Sequence, residues 1–254
     1  MRSILRAFGF LSVLPLGRFA QFDTPQIPAM LAVFPITGAC LGAALGLIWH
    51  FMLLVLDPRV AAALTVCAWE FLTRGLHLDG LADCADGLGG GYDPDARLRI
   101  MKDSRVGVFG SAAIFGTFLV KYSALTSLAL KPGLEPGSAF DQVLLLALVF
   151  AAARFAMLCG MCGARYARPE GGLGRDFIAS ARLWTLAVGV VIPLVIAIFC
   201  GRERGLLALA ASVIIAIVLR ALFNLALSGQ TGDTLGAMVE SAEMTALATL
   251  AIHL

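Results

Sequence analysis

Long runs of apolar residues constrain this chain more than any other feature of its sequence. They lie at about 28–56, 59–77, 106–130, 139–163, 183–200, 205–227 and 236–254, and a helix needs roughly 20 such residues to cross a bilayer. Only 14% of all residues are charged and 59% are hydrophobic, whereas soluble domains average about 25% charged and ~45–50% apolar. The excess apolar surface must be solvated by lipid, so the pattern predicts an all-α, polytopic membrane helical bundle.

Charged residues interrupt two of the seven runs. The second run contains Glu70 and Arg74, and the last contains Glu240 and Glu243. We expect the last segment either to cross the bilayer or to pack on the bundle as an amphipathic helix. The predicted number of transmembrane helices is therefore about six or seven.

The first 18 residues combine arginines with apolar side chains. Arg2 and Arg6 lie among these apolar residues, and no small-residue cleavage site follows a compact apolar core. This favours an interfacial helix at the membrane surface over a signal peptide. We interpret residues 1–254 as a single integral membrane domain.

Basic residues are divided unequally between the two predicted sides. With a cytoplasmic N-terminus, the inside set is Arg2, Arg6, Arg18, Arg74, Arg97, Arg99, Lys102, Arg105, Arg165, Arg168, Arg175 and Arg182, and the outside set is Arg59, Lys131, Arg202 and Arg204. The bias follows the positive-inside rule. It places the loops 78–105, 164–182 and 228–235 on the cytoplasmic side of a cell inner membrane.

Three glycines in the first apolar run recur at a spacing of four residues. Gly38, Gly42 and Gly46 would therefore form a small-residue face on a helix, and such faces let helices approach closely in lipid. We expect this face to pack either within the bundle or between protomers.

Three aspartates in the first cytoplasmic loop share one predicted helix face. Asp79, Asp83 and Asp86 follow an i, i+4, i+7 spacing. Like charges on one face repel one another, and a divalent cation replaces that repulsion with coordination. All-oxygen ligands favour Mg²⁺ or Mn²⁺, and Mg²⁺ also binds substrate phosphates. The spacing therefore predicts a Mg²⁺ site, with a solvated helix end as the alternative.

A second group, Glu70, Arg74 and His77, has the same spacing. A carboxylate inside a membrane span costs roughly 2.5–3.5 kcal/mol, so Glu70 needs a partner. Arg74 is the structural candidate. A bend at Gly75 or Gly80 would instead bring Glu70 to the metal. His77 is a candidate ligand or general base.

The sequence Lys102-Asp103-Ser104-Arg105 at the end of the first cytoplasmic loop allows two interpretations of its function. Asp103 or Ser104 could cap the helix that begins near residue 106. Alternatively, Lys102 and Arg105 supply cations for phosphate oxygens beside the aspartate face.

The other two cytoplasmic loops also contain candidate site residues. RYARPEGGLG includes Arg168 and Glu170, and arginine among glycines suits an anionic substrate such as a nucleotide. Anchoring by positive charge is the alternative. Asp233 follows Thr231 and Gly232, so it is either the N-cap of the last helix or a further metal ligand.

Four segments closely resemble the cobalamin synthase family: HLDGLADCADGLGGG, IMKDSRVGVFG, RYARPEGGLG and TGDTLGAMVE. FLSVLP and FPITGACLG are similar to its N-terminal region, so the resemblance spans nearly the whole chain. Cys84 stands where a threonine is expected, and Ser228-Gly229-Gln230 replaces a more glycine-rich approach to the TGD. Neither departure removes a predicted ligand.

The resemblance implies an integral membrane transferase that needs Mg²⁺. Such enzymes join adenosylcobinamide-GDP to α-ribazole or its 5′-phosphate, giving adenosylcobalamin or its 5′-phosphate and GMP. On this hypothesis the metal ligands are Asp79, Asp83, Asp86, Glu70 and Asp233. The catalytic residues are Asp79, Asp83 and His77. The substrate-binding residues are Lys102, Asp103, Arg105, Arg168 and Glu170.

Other classes of protein remain as alternatives. A transporter for a divalent cation or a corrinoid would need acids at mid-membrane depth and paired broken helices. A CDP-alcohol phosphotransferase would use a similar aspartate pattern on another substrate. The expected partners are the two small-molecule substrates and the lipid bilayer, with no nucleic acid. Homo-oligomer formation is left open.

Overall fold

The computed structural model describes residues 2–16, 23–130 and 138–252, and these ranges are helical except for turns, loops and one isolated bridge. A 3-10 helix covers Thr24–Gln26. The α-helices are α1 Arg2–Leu11, α2 Ile27–Ala32, α3 Phe34–Val55, α4 Pro58–Leu72, α5 Leu76–Gly90, α6 Pro94–Ile100, α7 Val108–Ala129, α8 Ala139–Met161, α9 Leu173–Ser180, α10 Leu183–Gly189, α11 Val191–Phe199, α12 Glu203–Leu227 and α13 Gly232–Ala251. Arg18, Lys131 and residues 253–254, which entered the predictions, lie outside the described residues. The predicted all-α bundle is confirmed.

Four helices of the described chain are long and apolar enough to cross a membrane: α3, α7, α8 and α12. Helix α9 and the segment Leu183–Phe199 form a fifth candidate, bent by 85°. Helix α4 has 15 residues, or about 22 Å at ~1.5 Å per residue, and is too short for a core of roughly 30 Å. The chain is therefore a multi-pass membrane protein with four or five candidate spans, fewer than the six or seven predicted.

Helices α8 and α13 lie at the centre of the bundle. Helix α8 is buried along most of its length and packs most extensively on α3, with further contacts to α11, α12 and α13. Helix α13 packs on α5, α7, α8 and α12. Most of its residues are buried although it contains Glu240 and Glu243. The helix formed by the last apolar run therefore packs within the bundle, and it is not among the helices that are long and apolar enough to count as candidate spans.

The glycine face of α3 packs on α8 within the same chain. A methyl group added at Gly42 would lie 2.7 Å from the carbonyl carbon of Leu146 and 3.0 Å from the Cα of Ala147. Gly38 and Gly46 meet the α8 backbone in the same way. The absent side chains allow the two helices to approach closely.

A sharp turn separates α4 from α5. Arg74 and Gly75 both have positive φ, at 56° and 62°, and the Gly75 N–H donates to the carbonyl of Glu70 at 2.8 Å. This left-handed conformation ends α4. A bend is therefore present at Gly75, one of the two positions considered from the sequence, and it separates the aspartates of α5 from the preceding helix.

Substituting Gly42 with alanine should destabilise the bundle by about 1–3 kcal/mol, because the methyl group meets backbone atoms that have no room to move. Thermal unfolding in detergent, followed by circular dichroism, measures the effect. Gly116→Ala is the matched control, since a methyl group there meets nothing within 4 Å. Equal unfolding midpoints for the two variants would contradict the packing account.

Candidate active site

The centre of the candidate site is the crossing of α5 and α13. A methyl group added at Gly80 would lie 2.7 Å from the carbonyl oxygen of Asp233 and 3.0 Å from its Cα. One added at Gly236 would lie 3.3 Å from the Cα of His77. Because both helices have glycine where they meet, their backbones nearly touch. The crossing thus brings aspartates from distant parts of the sequence together.

Asp79 and Asp83 of α5 face Asp233 of α13. Asp79 is exposed, and the other two are partly buried. Partial burial, together with the carboxylates of Asp233 and Asp79, raises the pKa of Asp83 to about 7. Within the described chain, no hydrogen bond to the carboxylate of Asp79 or Asp83 is found. The two groups are therefore available to a ligand.

Two loops pair to place a cation beside Asp233. The N–H of Ala167 donates to the carbonyl of Gln230, and the N–H of Gln230 donates to the carbonyl of Arg165, both at 2.8 Å. This pairing brings the guanidinium of Arg168 to 2.6 Å from the Asp233 carboxylate. Burial nevertheless raises the pKa of Asp233, and Arg168 opposes that shift.

The N-cap of α13 is Thr231, whose hydroxyl accepts from the N–H of Thr234 at 3.2 Å. Asp233 therefore lies in the first turn and is not the N-cap. Of the two predicted roles for Asp233, the structure removes capping and leaves the carboxylate facing α5.

Asp86 contacts the start of α7. Its carboxylate accepts from the N–H of Gly107 at 2.6 Å and from that of Gly110 at 2.9 Å. These bonds satisfy free donors at a helix N-terminus. Asp103 and Ser104 were predicted as caps for this helix, and that alternative is wrong because Asp86 reaches it from another helix. Asp103 instead pairs with Arg105 at 2.6 Å, which lowers the pKa of Asp103 to about 2.

Of the five predicted substrate-binding residues, Lys102, Arg168 and Glu170 line a small surface pocket, and Asp103 and Arg105 are not among its lining residues. Lys102 forms an ion pair with Glu170, which connects two cytoplasmic loops. Lys102 and Arg168 line a pocket of about 170 Å³ together with Arg99. Exposed ion pairs contribute only about 0–1 kcal/mol, so a phosphate could replace Glu170 at little cost. Arg99 was not singled out from the sequence.

Glu70 lies in a different cluster, inside the bundle. The ammonium of Lys121 is 2.8 Å from Glu70 and 3.1 Å from Glu243, and it also pairs with Glu240. Glu243 pairs with Arg154 as well. The structure therefore does not bring Glu70 to the aspartates of α5. The expectation that Arg74 is its partner is wrong, since Arg74 donates to the backbone carbonyl of Phe10 at 3.2 Å.

Lys121 and Arg154 are the residues that sequence reasoning missed. Both are fully buried, on α7 and α8. The sequence does contain a signal for them, because each is a cation inside an otherwise apolar run. A cation in such a place in a membrane protein needs an acidic partner. Glu240 and Glu243 of α13, together with Glu70 of α4, are those partners.

His77 lies between this buried cluster and the aspartates. It is buried, and burial lowers its pKa to about 3, with Arg154 acting in the same direction. The neutral ring lines a cavity of about 230 Å³ together with Asp79 and Asp233. His77 thus lies next to the candidate site without facing water.

Asp79 and Asp83 are the aspartates best placed to hold a metal ion. Among the described residues, no three His, Cys, Asp or Glu side chains converge closely enough to hold a metal by themselves. Mg²⁺ usually takes one or two carboxylates, several waters and substrate phosphates. Asp79 and Asp83 fit that mode, because they are close, like-charged and free of protein hydrogen bonds. Asp86 and Glu70 have protein partners instead.

The fold and site define a polytopic helical membrane protein with a carboxylate-lined site at one end of its bundle. Residues 3–251 match the family model described as cobalamin-5-phosphate synthase. The chain belongs to this family and is a transferase.

Individual relatives agree with the family match. A Roseiflexus sp. (strain RS-1) protein is 35% identical over 246 residues, covering 97% of this chain and 88% of the relative. A Syntrophobacter fumaroxidans protein is 38% identical over 229 residues, covering 90% and 89%. Both are named adenosylcobinamide-GDP ribazoletransferase. No solved structure matches this chain.

Affinity for Mg²⁺ should rise with pH between 6 and 8. A carboxyl group whose pKa is about 7 is mostly protonated at pH 6 and must lose that proton to coordinate a cation. The expected slope is about tenfold per pH unit below 7, as one linked proton requires. Isothermal titration of the detergent-solubilised protein measures it. The slope should vanish in Asp83→Asn, and a flat profile in the unmodified protein would contradict the assignment.

Proposed function

We propose that this protein joins adenosylcobinamide-GDP to α-ribazole or its 5′-phosphate and releases GMP. The proposal is supported chiefly by the placement of Asp79 and Asp83 opposite Asp233, which pairs with Arg168. A carboxylate group of this kind is suited to a cation-bound diphosphate, and the relatives' names specify which diphosphate and acceptor to test.

The reaction transfers the phosphoryl group that bears cobinamide from a phosphate oxygen of GMP to an alcohol oxygen of ribazole. The ribose hydroxyl oxygen of ribazole bonds to the phosphorus attached to cobinamide. The bond from that phosphorus to the oxygen shared with GMP breaks, and GMP leaves with that oxygen. The hydroxyl proton passes to a carboxylate of the site or to water. The products are adenosylcobalamin, or its 5′-phosphate, and GMP.

Mg²⁺ is the cation that the site fits best. Asp79 and Asp83 would hold it, with Asp233 as the facing carboxylate. When bound, Mg²⁺ would supply positive charge against the diphosphate oxygens. Phosphoryl transfer has little covalent chemistry for the protein itself, so catalysis depends on positioning and electrostatic stabilisation.

Cationic side chains of the surface pocket would hold the nucleotide end of the substrate. Lys102, Arg168 and Arg99 line that pocket. Arg105, three positions after Lys102, is exposed. Arginine binds phosphate oxygens through two parallel donors. This arrangement would place the GMP leaving group over the loops and the transferred phosphorus over the aspartates.

His77 would support the site structurally and would not transfer a proton. It lines the cavity beside Asp79 in its neutral form. Its Nδ1 is buried and has no hydrogen-bond partner among the described residues. A neutral, buried imidazole supports the aspartate end of α5 without adding positive charge to the metal site.

The site would face the cytoplasm of a cell inner membrane. Its loops contain Arg97, Arg99, Lys102, Arg105 and Arg168, and positively charged loops remain on the cytoplasmic side. Both substrates would then reach it from the aqueous phase of the cytoplasm.

The transporter alternative receives less support. Glu70, Glu240 and Glu243 do lie inside the bundle, but each pairs with Lys121. An ion pathway needs acids that face a cavity. The described helices include one strongly bent span, whereas transporters of that design use corresponding broken helices in two halves.

Asp83→Asn should lower GMP release by at least ~100-fold, because a lost metal ligand removes several kcal/mol of transition-state stabilisation. The assay combines adenosylcobinamide-GDP, α-ribazole and Mg²⁺ with detergent-solubilised protein. Asp57→Asn is the control. It changes an exposed aspartate that caps α4, and asparagine caps equally well. Unchanged GMP release from folded Asp83→Asn would refute the assignment.

A further inference from the structure

We propose that the 230 Å³ cavity beside the aspartates binds the base of the acceptor nucleoside, the dimethylbenzimidazole ring of ribazole. This inference rests on the proposed function and assigns one substrate part to one place. The cavity is lined by residues of α1, α3, α5, α8, α9 and α13.

The size of the cavity selects among the substrate parts. An apolar cavity of ~150 Å³ holds a benzene ring. A volume of about 230 Å³ is therefore suited to a fused bicyclic ring. A corrin macrocycle is several times larger and has to remain outside. The corrinoid would approach from the open side of the site.

The chemistry of the walls selects an apolar, aromatic base. Phe10 and Phe34 are stacked, with ring centroids 6.0 Å apart, and Phe177 meets both edge-on, at 5.1 and 6.0 Å. Leu11 and Met157 complete much of the wall. Flat rings gain from offset or edge-on contacts with such side chains. Dimethylbenzimidazole has two methyl groups and no exocyclic donors, so it loses little by entering.

Guanine, the other base in the reaction, fits this cavity poorly. It has an exocyclic amine, a carbonyl and a ring N–H, and burying these without partners costs about 1–3 kcal/mol per group. The polar residues that line the cavity are His77, Asp79 and Asp233, all next to the catalytic face. The guanosine end is better matched to the cationic pocket on the surface.

The position of the cavity gives the acceptor an orientation. Asp79 and Asp233 line one part of it, and the three phenylalanines line another. A base seated among the rings would leave its ribose beside the aspartates. The attacking hydroxyl would then be held where the phosphorus arrives, which is the positioning that phosphoryl transfer requires.

A bulky substitution at the rim of the cavity tests the assignment. Leu173 lines the cavity and is 45% exposed, so Leu173→Trp can extend into it without disrupting the core. The KM for α-ribazole should rise by at least about tenfold, while the KM for adenosylcobinamide-GDP changes less than ~twofold. Leu183→Trp is the matched control, since Leu183 is 78% exposed and is not among the residues lining the cavity.

A second measurement needs no variant. Ribosides of benzimidazole with two, one or no ring methyl groups are compared as acceptors for the unmodified enzyme. Each methyl removed should lower kcat/KM by roughly tenfold, as expected for methyl recognition in an apolar pocket. Equal use of the three acceptors would overturn the assignment.

The outcomes separate this inference from the proposed function. If the unmodified protein releases no GMP from adenosylcobinamide-GDP and α-ribazole, the proposed function fails and the inference fails with it. If transfer is normal but Leu173→Trp leaves the α-ribazole KM unchanged, or raises that of adenosylcobinamide-GDP instead, the inference alone fails.

Discussion

The near-contact of the α5 and α13 backbones at Gly80 is the constraint on which the rest of the site depends. It places Asp79 and Asp83 opposite Asp233, although these residues are about 150 positions apart in sequence. Three carboxylates in one place are costly unless cations share the charge. Arg168 supplies one such charge from the protein. The remaining charge favours a metal ion bound together with a phosphorylated substrate.

Further along α13, buried ion pairs hold the same helix in place, and in these pairs the acidic side chains already have cationic partners. Lys121 and Arg154 pair with Glu240 and Glu243, and Glu70 joins them from α4. Removing one partner from a buried pair typically costs about 3–5 kcal/mol, so this cluster resists displacement of the helix. One helix thus contributes paired acids inside the bundle and an acid facing the substrate at its end. We infer that the first group positions the second.

Local features could be predicted from the sequence, whereas contacts between distant helices could not. The helical register of Asp79 and Asp83 and the glycine face of α3 follow from spacing and residue type. The cap supplied by Asp86 to α7 depends on how two helices meet, which spacing does not contain.

The partner of Glu70 illustrates the same limit more sharply. A helix-spacing argument points to Arg74, four residues away, but the turn after Leu72 carries Arg74 out of the helix. Lys121, 51 positions away, takes its place. The described helices include four or five candidate spans where the apolar runs predict six or seven, because apolar runs do not reveal where a helix breaks.

The most direct test of the account is the effect of Gly80→Ala on transfer. The added methyl group must push α13 away from α5, because it would lie 2.7 Å from a backbone oxygen. GMP release from adenosylcobinamide-GDP and α-ribazole is measured with Mg²⁺, beside Gly116→Ala. We predict that Gly80→Ala lowers GMP release by at least about tenfold and that Gly116→Ala leaves it unchanged. A displacement of catalytic groups by about one ångström is enough to cause a loss of this size. Full activity of folded Gly80→Ala would contradict the claim that this crossing assembles the active site.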